Sequence, residues 1–401
     1  MAVDLNLIRQ ARKTIAGIAK KTPLIESHSF DFIEGANIFF KYENLQKTGS
    51  FKIRGAINKI ANLSEEEKKR GVIASSAGNH AQGVALGATA QGIKSTIVMP
   101  ETTPLAKISA TKGYGADVVL WGQAYDDAYE KACELQKQSN AVFVHPFNDP
   151  YVIAGQGTIA LEILEDLPGV DTVVVPIGGG GMLAGIATAF KAIRPEVRII
   201  GVETENVPSM KISFDVGQMT TVPPGVTIAD GINVRRPGDL TFSLIRQNAD
   251  DIVTVSEDEI ADAVLFLMEK GKILAEGAGA TPLAAVLAGK IDCRGKKTCV
   301  LVSGGNVDIP LIDRILNRAL INQGRRYDFR VKVPDRYGEL EKLVKLITES
   351  RANILFLTQT MYNNNLGITM QEITFVLECS DREHKQSVRE KLRAGGYELN
   401  P

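Results

Sequence analysis

The sequence predicts an α/β protein made of two open parallel-sheet units and a smaller α+β tail. Three observations carry this prediction. From Gly71 onward short apolar strands alternate with helical stretches, the order that builds a parallel sheet. The same rhythm resumes after a helix starting near Tyr151. Past residues 321–326 it gives way to strands and helices in βαββαβ order, which belongs to a ferredoxin-like unit. A chain of 401 residues is also too long for one ordinary core.

In order along the chain, the amino terminus reads as an amphipathic helix. The first unit has a strand at 72–74, a helix to about Ala90 and a strand at 95–99. Thr103-Pro104 reads as a cap followed by proline at the first helical position, and Gly113 closes that helix. Strands at 117–120 and 141–144 flank a helix from about Tyr125 to Gln138. A helix from about Tyr151 to Leu167 leads into the second unit, with strands at 172–177, 197–202 and 299–302. In the tail, strands at 327–333, 354–360, 368–377 and 397–399 accompany helices at 337–350 and 382–393. The expected organisation is a main region at 1–320, a linker at 321–326 and a self-folding tail at 327–401. Within the main region a smaller part covers about 46–152, and a larger part covers 1–45 with 153–320.

Composition narrows the function classes. Apolar residues make up 44% and charged residues 23%, with a formal net charge of -1, the profile of a soluble globular protein. No basic patch speaks for nucleic acid. Cys133, Cys293, Cys299 and Cys379 lack the CxxC spacing of zinc or redox sites, and reduced thiols in the cytoplasm are expected. With His28, His80, His145 and His384 as the only histidines, a histidine-rich metal site is not expected. No apolar run approaches the roughly 18 residues of a membrane span.

Four stretches carry chemistry. In "SFKIRGA" Lys52 lies between Phe51 and Ile53, either as a lysine with its head in water or as one whose amine is the reagent. In "VPIGGGGMLAG" four glycines between a buried strand and a helix let the backbone approach an anion, for which a phosphate is the natural guest. Gly179, Gly181 and Ala184 also satisfy G-x-G-x-x-A, and Glu203 ends the next strand 24 residues beyond Gly179, so an NAD-dependent dehydrogenase competes. That reading leaves "SSAGNHAQG" and "VSGGNVD" unexplained. The first offers amides, hydroxyls and an asparagine to a carboxylate, or simply caps its helix. The second ends a strand where ligands gather in parallel sheets, or is an ordinary turn.

Together, in this order and spacing, the four stretches resemble the fold-type-II pyridoxal-phosphate enzymes of the threonine dehydratase and serine racemase group, over essentially residues 5–320. The tail resembles an ACT domain, a regulatory module of amino-acid enzymes. The resemblance implies that Lys52 carries pyridoxal 5'-phosphate as an internal Schiff base and then removes the α proton of an amino-acid substrate. It implies that Asn79 contacts the ring oxygen and that Gly178, Gly179, Gly180, Gly181 and Met182 cradle the phosphate. Ser303 faces the ring nitrogen, Phe51 packs near the ring, and Ser76, Ala77, Gly78, Asn79 and His80 hold the substrate carboxylate. The implied reaction is elimination of water from L-threonine to give 2-oxobutanoate and ammonia, with the cofactor phosphate as acid and L-serine reacting alongside. Racemases of this group carry a serine where Ala77 stands, and alanine cannot shuttle a proton, which disfavours serine racemase.

Two further sites follow from the resemblance. Glu203 matches a carboxylate that binds a cation in some relatives, against a plain solvated carboxylate; magnesium, calcium or a monovalent ion would suit oxygen ligands. In the tail, the turn at Gly338 and the strand near Asn353 would form an amino-acid effector site, although Tyr337 replaces the usual proline. A tail that only pairs subunits is the alternative. A homodimer or homotetramer is expected.

Overall fold

The computed structural model describes residues 2–362 and 365–400, and the chain divides into two compact units, Met1–Asp308 and Ile309–Pro401. The helix Ile309–Asn322 therefore belongs with the tail, ahead of the linker expected at 321–326.

The first unit contains strands β1 (Leu24–Ser27), β2 (Asn37–Tyr42), β3 (Val72–Ser75), β4 (Ser95–Met99), β5 (Asp117–Leu120), β6 (Val142–Phe143), β7 (Thr172–Pro176), β8 (Arg198–Thr204), β9 (Asp251–Val255) and β10 (Lys297–Val302). They form two sheets. The larger has the order β1-β2-β10-β7-β8-β9 and is parallel apart from the β1–β2 hairpin at one edge. The smaller, β5-β4-β3-β6, is parallel throughout. β3 and β7 are buried along their whole length. Both sheet faces are covered there, which is why these strands are continuous apolar runs without alternation.

Three sequence expectations need correcting. Pro104 is the N-cap of the helix Leu105–Gly113, with φ -55 and ψ 138, so it precedes the first helical position. Thr103 does not cap, because its buried hydroxyl has no hydrogen-bond partner. β6 keeps only Val142–Phe143, and the tail's third strand starts at Met370 rather than Ile368, which is fully exposed.

The topology places the chemistry. β3, β7 and β10 end at Ser75, Pro176 and Val302, and each is followed at once by one of the polar or glycine-rich loops. In open α/β sheets ligands collect outside these carboxyl ends. The loop before Lys52 joins them through an isolated bridge between Ser50 and Gly304 and a hydrogen bond from the Phe51 amide to the Ser303 carbonyl at 3.1 Å.

The second unit continues with β11 (Arg326–Pro334), the helix Glu339–Glu349, β12 (Asn353–Thr360), β13 (Met370–Glu378), the helix Arg382–Ala394 and β14 (Leu399–Asn400). The antiparallel sheet has the order β12-β13-β11-β14. Alternation along β11 buries Tyr327, Phe329, Val331 and Val333 against Leu343, Ile347, Val388 and Leu392 of the two helices.

Candidate active site

Lys52 is the first residue of the helix Lys52–Ala61, a position that projects its side chain back toward the preceding loop. It is half-buried, and its Nζ donates to the Pro146 carbonyl at 3.0 Å while lying 5.3 Å from the centre of the Phe51 ring. Burial pushes the amine down to about 8, with the Glu276 carboxylate pulling weakly the other way. The lysine is thus not held in water. Its enclosure comes from Phe51 and Pro146, whereas Ile53 packs with Ile15 and Ile57.

A second basic residue, Arg54, sits two positions on and is fully buried. Its guanidinium donates to Glu43 Oε2 and Oε1 at 2.8 Å each and to Glu162 Oε1 at 2.6 Å, and Lys41 Nζ meets Glu162 Oε2 at 2.6 Å. Two cations and two carboxylates therefore close a neutral quartet that ties the helix of Lys52 to β2 and to the helix Pro150–Asp166.

Lys52, Phe51, the residues from Ser76 to His80, those from Gly178 to Met182 and Ser303 all line one cavity of about 1300 Å³. Gly180 takes φ 89, open only to glycine without strain, and caps the helix Gly181–Ile193 with no side-chain partner, leaving its first amides free. The neighbouring glycines are needed for a second reason. A Cβ at Gly179 or Gly181 would collide with Phe147, at 2.2 and 3.0 Å. The helix Asn79–Thr89 likewise begins at Gly78 without a side-chain cap.

Both histidines of the cleft are neutral. Burial pushes His80 down to about 3, and its Nε2 faces the Val144 carbonyl at 2.8 Å. A carbonyl only accepts, so Nε2 carries the proton. Burial takes His145 to about 4, where Nδ1 accepts from the amides of Phe147 and Asn148 at 3.2 and 2.8 Å, so here too Nε2 bears the hydrogen.

The remaining sequence candidates lie elsewhere. Glu203 is buried, not solvated, and receives the amides of Met210 and Lys211 at 3.0 and 2.7 Å; burial pushes its carboxyl up to about 8. A carboxylate spent on the start of the helix Ser209–Val216 is not free for a ribose, which removes the acid the dinucleotide reading required. Among the described residues no group of three His, Cys, Asp or Glu is placed to hold a metal. In the tail Gly338, at φ 86, caps the helix Glu339–Glu349, and the exposed Asn353 donates its amide to Glu378 on β13 at 3.2 Å.

Sequence reasoning missed Glu276. It is 5% exposed, lines the cavity, accepts from Asn79 Nδ2 at 2.7 Å, and is pushed up to about 7 by burial. Its stretch, Ala275-Glu276-Gly277, matches no motif, and its position beside Asn79 arises only from the fold.

These parts fit pyridoxal phosphate. An uncapped helix start suits a phosphate dianion, and a lysine amine near neutrality in an enclosed cleft suits an aldehyde carbon. The comparisons agree. Residues 15–305 match the family of pyridoxal-phosphate dependent enzymes. An L-threonine ammonia-lyase of Thermotoga maritima is 51% identical over 397 residues, 99% of each chain. Among solved structures, threonine deaminase isoform 2 of Solanum lycopersicum superposes with a TM-score of 0.76 at 37% identity, over 79% of this chain and 88% of that one. Maize serine racemase gives 0.75 at 38%, over 80% and 99%. A match through most of the first unit and a relative at half identity from end to end leave one conclusion: this chain belongs to the pyridoxal-phosphate dependent enzymes.

Proposed function

We propose that the protein is a deaminating dehydratase that converts L-threonine to 2-oxobutanoate and ammonia, with L-serine to pyruvate as a side reaction. The observation that carries this reading is Lys52, a lysine whose amine burial brings to about 8 in a cleft with open helix starts. The near-full-length similarity to an L-threonine ammonia-lyase supports the substrate.

When bound, pyridoxal phosphate supplies an electron sink for negative charge at the substrate α-carbon. In this reading the amides from Gly178 to Met182 bind its phosphate, Phe51 packs near its ring, Asn79 donates to the ring oxygen and Ser303 faces the ring nitrogen. A neutral serine at that nitrogen favours prompt loss of the β-hydroxyl over longer-lived chemistry. The open turn from Ser76 to His80 grips the substrate carboxylate through amides and the Ser76 hydroxyl. His80 contributes its backbone, since its ring is neutral and committed to Val144. Neutral Lys52 takes the α proton at Nζ. L-serine lacks one methyl, worth only about 1–3 kcal/mol of discrimination, so it reacts too. Ala77 offers no second acid/base for racemisation.

The test is to record the visible spectrum of the pure protein, add L-threonine, and assay 2-oxobutanoate with wild type and Lys52→Ala. Absence of keto acid from wild type, or full activity in Lys52→Ala, sinks the proposal. Formation of D-serine from L-serine would favour the racemase instead.

The division into a catalytic unit and a tail goes with this reading; the break falls at Asp308/Ile309 rather than after 320, and the part of the tail from 327 onward acts as an ACT domain. Its βαββαβ order supports that role, with isoleucine or valine as effector near Gly338 and Asn353. A titration in which neither changes activity or melting temperature removes it. A cation at Glu203 would offset the burial that raises its carboxyl; melting temperatures unchanged by magnesium, calcium or potassium would remove that. A homodimer or homotetramer in the cytoplasm completes the proposal.

A further inference from the structure

We infer that Glu276 is a positioning residue: with Asn306 it forms a chain of hydrogen bonds that sets the direction of the Asn79 amide. The inference rests on the reading of the cleft as a pyridoxal-phosphate site.

The direction follows from a chain of donors. Asn306 Nδ2 donates to the Thr48 carbonyl at 2.7 Å, and a carbonyl can only accept, so the orientation of Asn306 is fixed. The same amide donates to Asn79 Oδ1 at 2.7 Å. Asn79 must then turn its Nδ2 to Glu276 Oε1, which it meets at 2.7 Å. Glu276 and Asn306 thus hold the Asn79 amide from its two ends. With its amide reversed, Asn79 would set oxygen against carboxylate and NH2 against NH2. One Nδ2 hydrogen of Asn79 is left over for the cleft it lines.

Glycines in two of the loops make room for this chain. A Cβ at Gly304 would stand 2.4 Å from Glu276 Oε1 and 3.1 Å from Asn79 Nδ2, and one at Gly49 would stand 2.5 Å from Asn306 Oδ1. The chain thus joins the turn before Lys52, the turn at Asn79 and the turn after β10, and ends on a residue outside all four motifs. Protonation would give the carboxyl a hydrogen of its own and weaken its hold on the Asn79 donor. Besides burial, the groups that set its charge are Asp230, which favours the protonated form, and Lys107 and Lys52, which favour the ionised form, alongside the Asn79 hydrogen bond.

The test uses holoenzyme and reads the bound cofactor's visible bands across pH, together with kcat and KM, in wild type, Glu276→Gln, Asn79→Ala and the double variant. Gln keeps one acceptor, adds a donor and removes the charge, so the hold on Asn79 loosens. Glu276→Gln is expected to redistribute the bands, abolish their titration near neutrality and lower kcat about tenfold with little change in KM. In the Asn79→Ala background the same substitution is expected to add nothing. Bands unchanged in Glu276→Gln, or effects of the two substitutions that simply add, overturn the inference. If Glu276→Gln does not fold, Asn306→Ala is expected to redistribute the bands in the same direction, and unchanged bands there overturn it equally. A wild type that binds no pyridoxal phosphate would instead overturn the reading beneath.

Discussion

The ring of Phe147 lies so close to Gly179 that a Cβ on the glycine would stand 2.2 Å from its carbons. Phe147 in turn meets His145 edge-on, with ring centres 4.6 Å apart. The phosphate-type loop is therefore shaped from its protein side by an aromatic residue 32 positions earlier in the chain. Gly179→Ala must push that ring aside. Overpacking of this kind costs about 1–3 kcal/mol. If the cost falls on the loop, pyridoxal-phosphate affinity drops about 5- to 150-fold. Titration of the apoprotein by fluorescence, with circular dichroism as the check on folding, measures it; an unchanged Kd contradicts the geometry.

Lys52 sets the pH dependence of cofactor capture. With the amine at about 8, about 9% is neutral at pH 7, against about 0.03% for an ordinary lysine at 10.5. The rate at which apoprotein takes up pyridoxal phosphate covalently should rise with pH through a midpoint near 8 and level off above it. Lys52→Ala should show no covalent capture at any pH. A midpoint near 10.5 in stopped-flow absorbance would place the amine in water.

The quartet of Lys41, Glu43, Arg54 and Glu162 should be intolerant of single removals. Arg54→Met leaves two carboxylates buried with one cation, and breaking a buried pair costs about 3–5 kcal/mol. Urea denaturation of the apoprotein reads this as a lowered midpoint. A loss below about 1 kcal/mol, the size of an exposed ion pair, would show that the quartet is not as enclosed as it is described.

The neutral histidines make the fold acid-sensitive. His80 has an ordinary value of 6.5 and lies at about 3 in the fold, so the unfolded chain binds more protons between these values. The stability it contributes is full above about 6.5 and is lost as pH falls toward about 3, with a slope of at most about 1.4 kcal/mol per pH unit. His80→Gln should flatten this part of the curve. Urea midpoints of wild type and variant at pH 5 and pH 7 give the comparison, and equal slopes would refute the assignment.

Where burial covers both faces of a strand, as in β3 and β7, the apolar run spoke plainly in the sequence. Where it covers one edge only, it did not. β1 is an edge strand, half exposed and charged at Glu26, and it carries neither alternation nor a run. That Lys52, the glycine loop and Ser303 line one cavity was legible only from four motifs in register, since neither "SFKIRGA" nor the Ser303 loop decided it alone. Glu276 lies in none of them. A buried carboxylate whose partner sits 197 positions away is specified by the packing of loops, not by its neighbours in sequence. Glu203 shows a related limit: a strand-end acid looks the same in sequence whether it meets solvent, a ribose, a cation or, as here, the amides that open the next helix.

The three residues Lys52-Ile53-Arg54 place two basic groups within one turn of helix and give them opposite fates. The guanidinium is surrounded by countercharge and has every donor engaged, so it exerts little field on its neighbour and cannot react. The amine is left with one carbonyl contact and an open cleft. The selectivity of the site for a single nitrogen among many is thus built partly by silencing the nearest rival. Lys107 lines the same cleft but is paired with Asp230 and Asp308, which hold its amine protonated, so an aldehyde reagent offered near neutral pH meets Lys52 as the reactive one.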